Sequence, residues 1–139
     1  MGMYTELVLK TCIKDDIDDK ILSVIMFLFG GGICPTDLPA HSFFDCPRWE
    51  VVGRGSSFYH HPRNVSSFCV SCGGGKYLFS RSDLKNYDNE IELFLDWFSP
   101  LCEADEDACV GWYWYESEDR PTLLIMSEGK IVKENKDED

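Results

Sequence analysis

The stretch "RSDLKNYDNEIELFLDWFSP", residues 81–100, carries the most regular pattern in the chain. Its apolar side chains recur at the spacing of one helix face: Tyr87, Ile91, Phe94, Leu95 and Phe98. Glu92 and Asp96 fall on the opposite face, and Pro100 cannot continue a helix. The pattern therefore predicts an amphipathic helix from Tyr87 to Phe98.

The polar residues before this helix are suited to cap it. Asn86 and Asp88 are both candidates, because a short polar side chain accepts hydrogen bonds from the first free amides of a helix. The same free amides attract anions. We therefore expect the polar front end of this helix, with Asn86, to be able to contact a bound anion.

The chain before this stretch begins with a strand and a second helix. Met3–Ile13 alternates between apolar and polar residues, which is typical of a half-buried strand. The acids of Asp15–Asp19 are expected to stabilise the positive end of a helix from Ile17 to Phe29. The three glycines at 30–32 are expected to end that helix.

The remaining periodic segments are predicted to be strands: Trp49–Tyr59, Ser66–Cys72, Lys76–Ser80, Val110–Glu116, Thr122–Met126 and Lys130–Lys133. Most connections have hairpin length, which favours antiparallel pairing. We therefore predict the α+β class, with a mostly antiparallel sheet of five to six strands and two amphipathic helices covering one face. Residues 1–133 are expected to form a single domain, and residues 134–139 an acidic C-terminal tail.

The composition predicts a folded cytoplasmic protein. The hydrophobic fraction is 44% and the aromatic fraction 14%, which argues against disorder. The longest apolar run falls short of the roughly 18–20 residues that cross a bilayer, and no export signal is visible, so we expect no membrane contact. The seven cysteines are odd in number and irregularly spaced, as expected for reduced thiols rather than a disulfide framework.

The chain carries a net charge of −12, from 25 acids and 13 bases. Such a charge repels nucleic acid, so no direct nucleic-acid contact is expected. The acids cluster in "DDIDD", "EADED", "ESED" and the C-terminal "KENKDED". These clusters indicate either solvated loops or an acidic face that imitates a polyanion and occupies a basic host protein.

The candidates for metal binding and catalysis have weak patterns. Cys69 and Cys72 fall inside a predicted strand, where residues three apart point to opposite faces, and a second pair with zinc-site spacing is lacking. His60 and His61 could supply a general base, but no catalytic motif accompanies them. We therefore predict no metal, no cofactor and no catalytic residue, and we keep a small hydrolase as the third hypothesis.

The arginines indicate a different kind of site. Three of the five lie in or beside predicted strands, close to aromatic residues that could stack on a base. Ordinary ion pairing with the abundant acids is the alternative for these arginines. The predicted ligand-binding residues are Arg48, Trp49, Arg54, Tyr59, Arg81, Asn86 and Trp112.

Several segments carry a resemblance to a known family: "MYTELVLK", "LPAHSFF", "RWE", "PTLLIM" and above all residues 81–100. From Met3 to about Met126 the chain is similar to a family of small uncharacterised proteins encoded by phages and by mobile elements of gut-type bacteria. The resemblance implies an accessory protein of the host cell cytosol that blunts host defence.

The sequence and the resemblance together lead to ranked hypotheses. The first is a non-enzymatic protein that binds and sequesters a small nucleotide-derived immune signal of the host. The second is an acidic inhibitor that binds a host defence protein as a nucleic-acid mimic, and the third is a hydrolase acting on a nucleotide messenger. The expected partner is therefore a small nucleotide-like anion or a basic host protein, and a homo-oligomer stays open.

Overall fold

The computed structural model describes residues 4–55, 65–70 and 75–134. Its two α-helices are α1 (Asp19–Phe29) and α2 (Glu90–Phe98). Its strands are β1 (Thr5–Ile13), β2 (Val65–Val70), β3 (Lys76–Leu84), β4 (Cys102–Glu103), β5 (Cys109–Tyr115), β6 (Thr122–Ser127) and β7 (Lys130–Lys133). Short 3₁₀ turns lie at Ser42–Asp45, Trp49–Val51 and Ser99–Leu101.

The strands form one sheet in the order β2-β3-β1-β5-β6-β7, with β4 paired to the end of β1. Every pairing between these strands is antiparallel. The α+β class and the antiparallel sheet are therefore confirmed, and the described part of the chain contains seven strands rather than five to six. The additional strand is the two-residue β4, which is too short to produce a sequence pattern.

The core lies where both helices meet the sheet. Alternate residues of β1, Leu7, Leu9 and Ile13, are buried in one cluster with the apolar faces of α1 and α2. Phe29 of α1 reaches Phe94 of α2, with 5.9 Å between the ring centroids. None of the helices in the described ranges is long and apolar enough to cross a lipid bilayer.

The caps of the helices differ in kind. Asp18 caps α1, since its Oδ1 accepts a hydrogen bond of 2.9 Å from Ile21 N. At α2 the residue before the helix is Asn89, in a left-handed conformation without a side-chain cap bond. Asn86 caps α2 instead, because its Oδ1 accepts a hydrogen bond of 2.9 Å from Ile91 N. Of the two expected caps, Asn86 is therefore the one used.

The other side of the sheet is called the outer face here. It carries the alternate residues that point away from the core: Glu6, Val8, Lys10 and Cys12 of β1, Tyr77, Phe79, Arg81 and Asp83 of β3, Trp112 and Trp114 of β5, Leu123 and Ile125 of β6, and Val132 of β7. Trp112 and Trp114 thus face away from Tyr113 and Tyr115, as their alternation predicts.

Several predicted boundaries are corrected. The strand expected at Trp49–Tyr59 is wrong in its described part, because Trp49–Val51 forms a 3₁₀ turn and Trp49 packs into the core. Residues 56–59 lie outside the described residues. β3 continues to Leu84 instead of ending at Ser80, since β1 pairs with it along its whole length. Of the predicted tail, Glu134 still bonds Leu123 O through its backbone N–H, and residues 135–139 are outside the described ranges.

Candidate ligand-binding site

A small cavity with an aromatic lining lies between the front end of α2 and the sheet. Its volume is about 260 Å³, and it is lined by Thr5, Asn86, Tyr87, Tyr113 and Tyr115. Three of these five residues are tyrosines, and Asn86 is the side chain that caps α2. We refer to it as the tyrosine pocket.

Strand alternation positions one wall of this pocket. Tyr113 and Tyr115 are two residues apart on β5, so both point to the side of the sheet that holds α2. Thr5 is buried on β1 directly opposite Tyr115. Two phenol rings and a threonine therefore stand next to one another without any special loop geometry.

The other wall belongs to the segment before α2. Asn86 is held at both ends of its amide: Oδ1 accepts from Ile91 N, and Nδ2 donates to Glu92 Oε1 at 3.0 Å. Tyr87, the next residue, is 64% exposed, so its ring is open to solvent. The pocket thus combines one fixed amide with one accessible ring.

Two cationic side chains lie over tyrosines of this lining. The Arg48 guanidinium carbon is 5.5 Å from the centroid of the Tyr87 ring, and Lys133 Nζ is 5.3 Å from that of Tyr113. Such contacts hold a positive charge against an aromatic face. Each of these cations also faces a carboxylate, Arg48 that of Glu90 and Lys133 that of Glu92, so two cation–carboxylate pairs flank the tyrosine pocket on a protein with a net charge of −12.

Lys133 also forms an ion pair beside the pocket. Its Nζ lies 3.0 Å from Glu92 Oε2. Burial alone acts to raise the pKa of Glu92, but hydrogen bonds from Asn86 and Lys133 outweigh it, and the pKa is lowered. For Lys133, burial acts to lower the pKa of the ammonium group. The hydrogen bonds to Glu92 and Tyr113 outweigh this effect, and the pKa of Lys133 is raised. Both groups are therefore charged at neutral pH.

Arg48 connects the pocket to a buried carboxylate. Its Nη2 donates to Lys85 O at 3.1 Å and lies 3.7 Å from Glu90 Oε2. Glu90 is fully buried in the first turn of α2, and its Oε1 accepts from Asp88 N at 3.0 Å. Glu90 thus lies in the first turn of α2 beside the Arg48 guanidinium.

The three predicted arginines have no contact partner in common. Arg81 is paired on the outer face, with Nε 2.6 Å from Glu6 Oε2 and two bonds of 3.0 and 3.3 Å to Asp83. Arg54 donates to Phe27 O at 3.1 Å and lies over the ring of Phe27. Of the three, Arg48 is the one beside the tyrosine pocket.

Arg54 lines a second and larger cavity of about 570 Å³, together with Leu28–Gly31 and Ser66–Phe68. This cavity lies at the C-terminal end of α1, where the partial charge of a helix is negative. The Arg54 guanidinium there already donates a hydrogen bond to the carbonyl oxygen of Phe27 in α1. The location is therefore less suited to an anion than the front end of α2.

The predicted aromatic residues also lie in different places. Trp49 is buried against Phe27 and Phe44, with centroid distances of 5.6 and 5.1 Å. Trp112 lies on the outer face, opposite Val8. Tyr59 lies outside the described residues. Of the seven predicted ligand-binding residues, Arg48 and Asn86 are therefore those found at the tyrosine pocket.

Sequence reasoning did not select Tyr113, Tyr115 or Lys133 for this site. The signal for the two tyrosines was present, since alternation on β5 places them on the side opposite Trp112 and Trp114. Trp112, on the other face of the same strand, was predicted as the stacking residue instead. No pattern distinguishes Lys133 from the other lysines, because its place beside Glu92 depends on β7 packing against α2.

Comparison of the chain with family models, with curated proteins and with solved structures gave no match.

Proposed function

We propose that this chain binds a small planar aromatic anion of the nucleotide class, without catalysis. The observation that carries the proposal is the tyrosine pocket, in which two flanking cations, Arg48 and Lys133, lie over aromatic rings of the lining. Rings that stack and cations that neutralise phosphate are the two elements of base-independent nucleotide binding.

The size of the pocket supports a division of the ligand into two parts. A cavity of about 260 Å³ is slightly smaller than the roughly 300–1,000 Å³ that holds a whole drug-sized ligand. It is therefore suited to a single ring system between the tyrosines. The charged part of the ligand would lie at the rim, within reach of Arg48 and Lys133, and the second Nδ2 proton of Asn86 could bond a ring acceptor.

The lining supports binding rather than turnover. Thr5, Asn86 and the three tyrosines offer stacking surfaces and hydrogen bonds, and the carboxylate that Asn86 contacts, that of Glu92, is engaged by Asn86 and Lys133. From the resemblance of residues 81–100 to phage-encoded proteins, we propose further that the ligand is a nucleotide signal of host defence. In that case the effect of binding is sequestration of the signal.

Calorimetric titration of the whole chain tests the proposal. The panel compares adenosine with AMP, ADP-ribose and cyclic dinucleotides. We expect the phosphate-bearing compounds to bind and adenosine to bind more weakly, since it lacks the group that Arg48 and Lys133 neutralise. If none of the compounds binds detectably, or if adenosine and AMP bind with equal affinity, the proposal is contradicted.

Matched tyrosine variants locate the binding. Tyr87→Ala removes an exposed ring of the pocket and should weaken binding by about tenfold or more, as expected for a lost stacking ring. Tyr77→Ala removes a ring of similar exposure from the outer face and should leave the affinity unchanged. Equal losses in both variants would place the ligand elsewhere.

A further inference from the structure

The outer face of the sheet exposes large aromatic side chains on both sides of β1. On β3, Tyr77 and Phe79 are 46% and 42% exposed, and on β5 Trp114 is 38% exposed. Val8 lies between these strands and pairs with Trp112. The helices α1 and α2 contribute their apolar faces to the core on the other side, so no described helix covers these rings.

The apolar surface continues across the remaining strands. Trp112 lies opposite Leu123, and Ile125 lies opposite Val132 at the edge of the sheet. Leu123 and Ile125 are half-buried and do not belong to the core cluster. Exposed or half-buried apolar side chains on four strands of one sheet face, β3, β5, β6 and β7, are typical of a protein interface.

The charges in the middle of this surface balance one another. Arg81 is neutralised by Glu6 and Asp83, both of which lie on the same face. Lys10, opposite Phe79, is the exposed cation of the central strand. The middle of the outer face is therefore close to neutral.

Its rim is acidic at both ends of β5. The loop 103–107 precedes this strand and holds four acids, and the loop 116–119 follows it with three. Glu103 is exposed and pairs with Cys12, which places it on the outer face itself. The apolar surface is thus bordered by negative charge at opposite ends of one strand.

We propose that the outer face is a docking surface for a protein partner that has an exposed apolar patch bordered by lysine or arginine. The neutral centre of the face would bury against the apolar patch, and the acidic rim would meet the basic border. This surface is separate from the tyrosine pocket, which lies on the helix side of the sheet, so the inference does not depend on nucleotide binding.

The same charges disfavour other occupants. A second copy of this chain would bring together two bodies that each carry a net charge of −12, with acidic rims on both. Nucleic acids and anionic membranes are repelled for the same reason. A basic protein surface with an apolar patch is the occupant that would interact favourably with both the apolar centre and the acidic rim of the outer face.

A synthetic peptide that alternates leucine and lysine provides a defined probe of this chemistry. Titration of the isotopically labelled chain, followed by NMR amide shifts, should give perturbations on β3, β5 and β6. The affinity should fall by about tenfold between about 50 mM and about 500 mM salt, because the rim contribution is screened. Two control peptides complete the design: one with glutamate in place of lysine, and one of lysine alone.

Two variants test the apolar centre, Phe79→Ser and Tyr77→Ser, with the native amide dispersion as the check of folding. Both should weaken binding of the leucine–lysine peptide by about fivefold or more, since each removes an exposed aromatic contact. Tyr87→Ala changes a residue on the other side of the sheet. It is the matched control and should not change the affinity for the leucine–lysine peptide.

Five outcomes would overturn the inference. If the peptide of lysine alone binds as tightly as the leucine–lysine peptide, the acidic residues act alone. If the leucine–glutamate peptide binds as tightly as the leucine–lysine peptide, the acidic rim has no role. Perturbations confined to α1 or α2, or no binding at all, exclude the outer face. A dimer in analytical ultracentrifugation that is lost in Phe79→Ser identifies a second copy as the occupant.

Discussion

The guanidinium of Arg48 lies 3.7 Å from Glu90 Oε2, an oxygen that is completely buried and accepts no hydrogen bond from any residue that the structure describes. A buried carboxylate oxygen without a hydrogen bond is costly, and a nearby positive charge reduces that cost. Arg48 is thus tied to the stability of α2 as well as to the tyrosine pocket.

Arg48→Ala should lower the free energy of unfolding by about 1–3 kcal/mol, the usual range for leaving a buried polar group unsatisfied. Urea unfolding measures the change. In a Glu90→Gln background the same substitution should cost less, because the buried charge that Arg48 faces is gone. Strictly additive effects of the two substitutions would show that the pair is not coupled.

The ion pair between Glu92 and Lys133 should make stability depend on pH in the acid range. The folded-state pKa of Glu92 lies below its ordinary 4.5, so its contribution is present above that pH and is lost as the pH falls through the lowered pKa. Both side chains are more than a third exposed, which limits the contribution to less than about 1 kcal/mol.

Urea unfolding of the native chain and of Glu92→Gln, between about pH 3 and pH 7, measures this dependence. The two curves should differ near neutral pH and converge in acid. Lys133 acts with the opposite sign: its pKa is raised above 10.5, so its contribution is complete below that pH and is lost as the pH rises through the raised pKa. A difference that persists unchanged in acid would contradict the assignment to Glu92.

Gly111 is required where β5 passes close to β1. Its φ is +153°, and a Cβ at this position would overlap the carbonyl oxygen of Val8. Gly111→Ala should therefore lower the free energy of unfolding by about 2 kcal/mol or more, because β1 and β5 must separate. Gly129, with φ +80° and open space around it, is the matched control for backbone strain alone.

Gly129→Ala should cost about 1 kcal/mol, the usual penalty for a side chain in the left-handed region. Thermal or urea unfolding compares the two variants directly. Equal losses would show that the close approach to Val8 is not the cause at Gly111.

The cysteines should differ strongly in reactivity. Burial raises the pKa of the Cys102 thiol to about 12, compared with an ordinary 9.0, so at a given pH it carries about a thousandfold less thiolate. Cys34, Cys69 and Cys109 are exposed. Iodoacetamide labelling of the native chain near pH 8, followed by peptide mass spectrometry, should modify these three and spare Cys102. Rapid labelling of Cys102 in the folded chain would contradict its burial.

The elements that the sequence predicted well are those with strong periodicity. The helix within residues 81–100 was anticipated together with most of its buried face, because Ile91, Phe94 and Phe98 recur at helical spacing over two turns. Tyr87, expected on the same face, lies before the helix and is exposed. The antiparallel class followed from the short connections between strands. Local pattern is sufficient for such elements, since each one buries a face that its own residues define.

Other features depend on contacts between distant segments. Trp49 was expected on a strand because aromatic and β-branched residues cluster there, but the rings of Phe27, Phe43 and Phe44 hold it in a 3₁₀ turn. The tyrosine pocket likewise joins residues from the two ends of the chain. One half of it, Asn86 beside Arg48, was among the predicted ligand residues, and the other half is created by the pairing of β1 with β5.

The position of β1 has a consequence for the biogenesis of the protein. Tyr4, just before this strand, donates its amide to Glu116, 112 residues further along the chain. β1 therefore cannot pair with β5 until the chain has been synthesised to about residue 115. Folding is expected to have the slow rate of proteins with many long-range contacts.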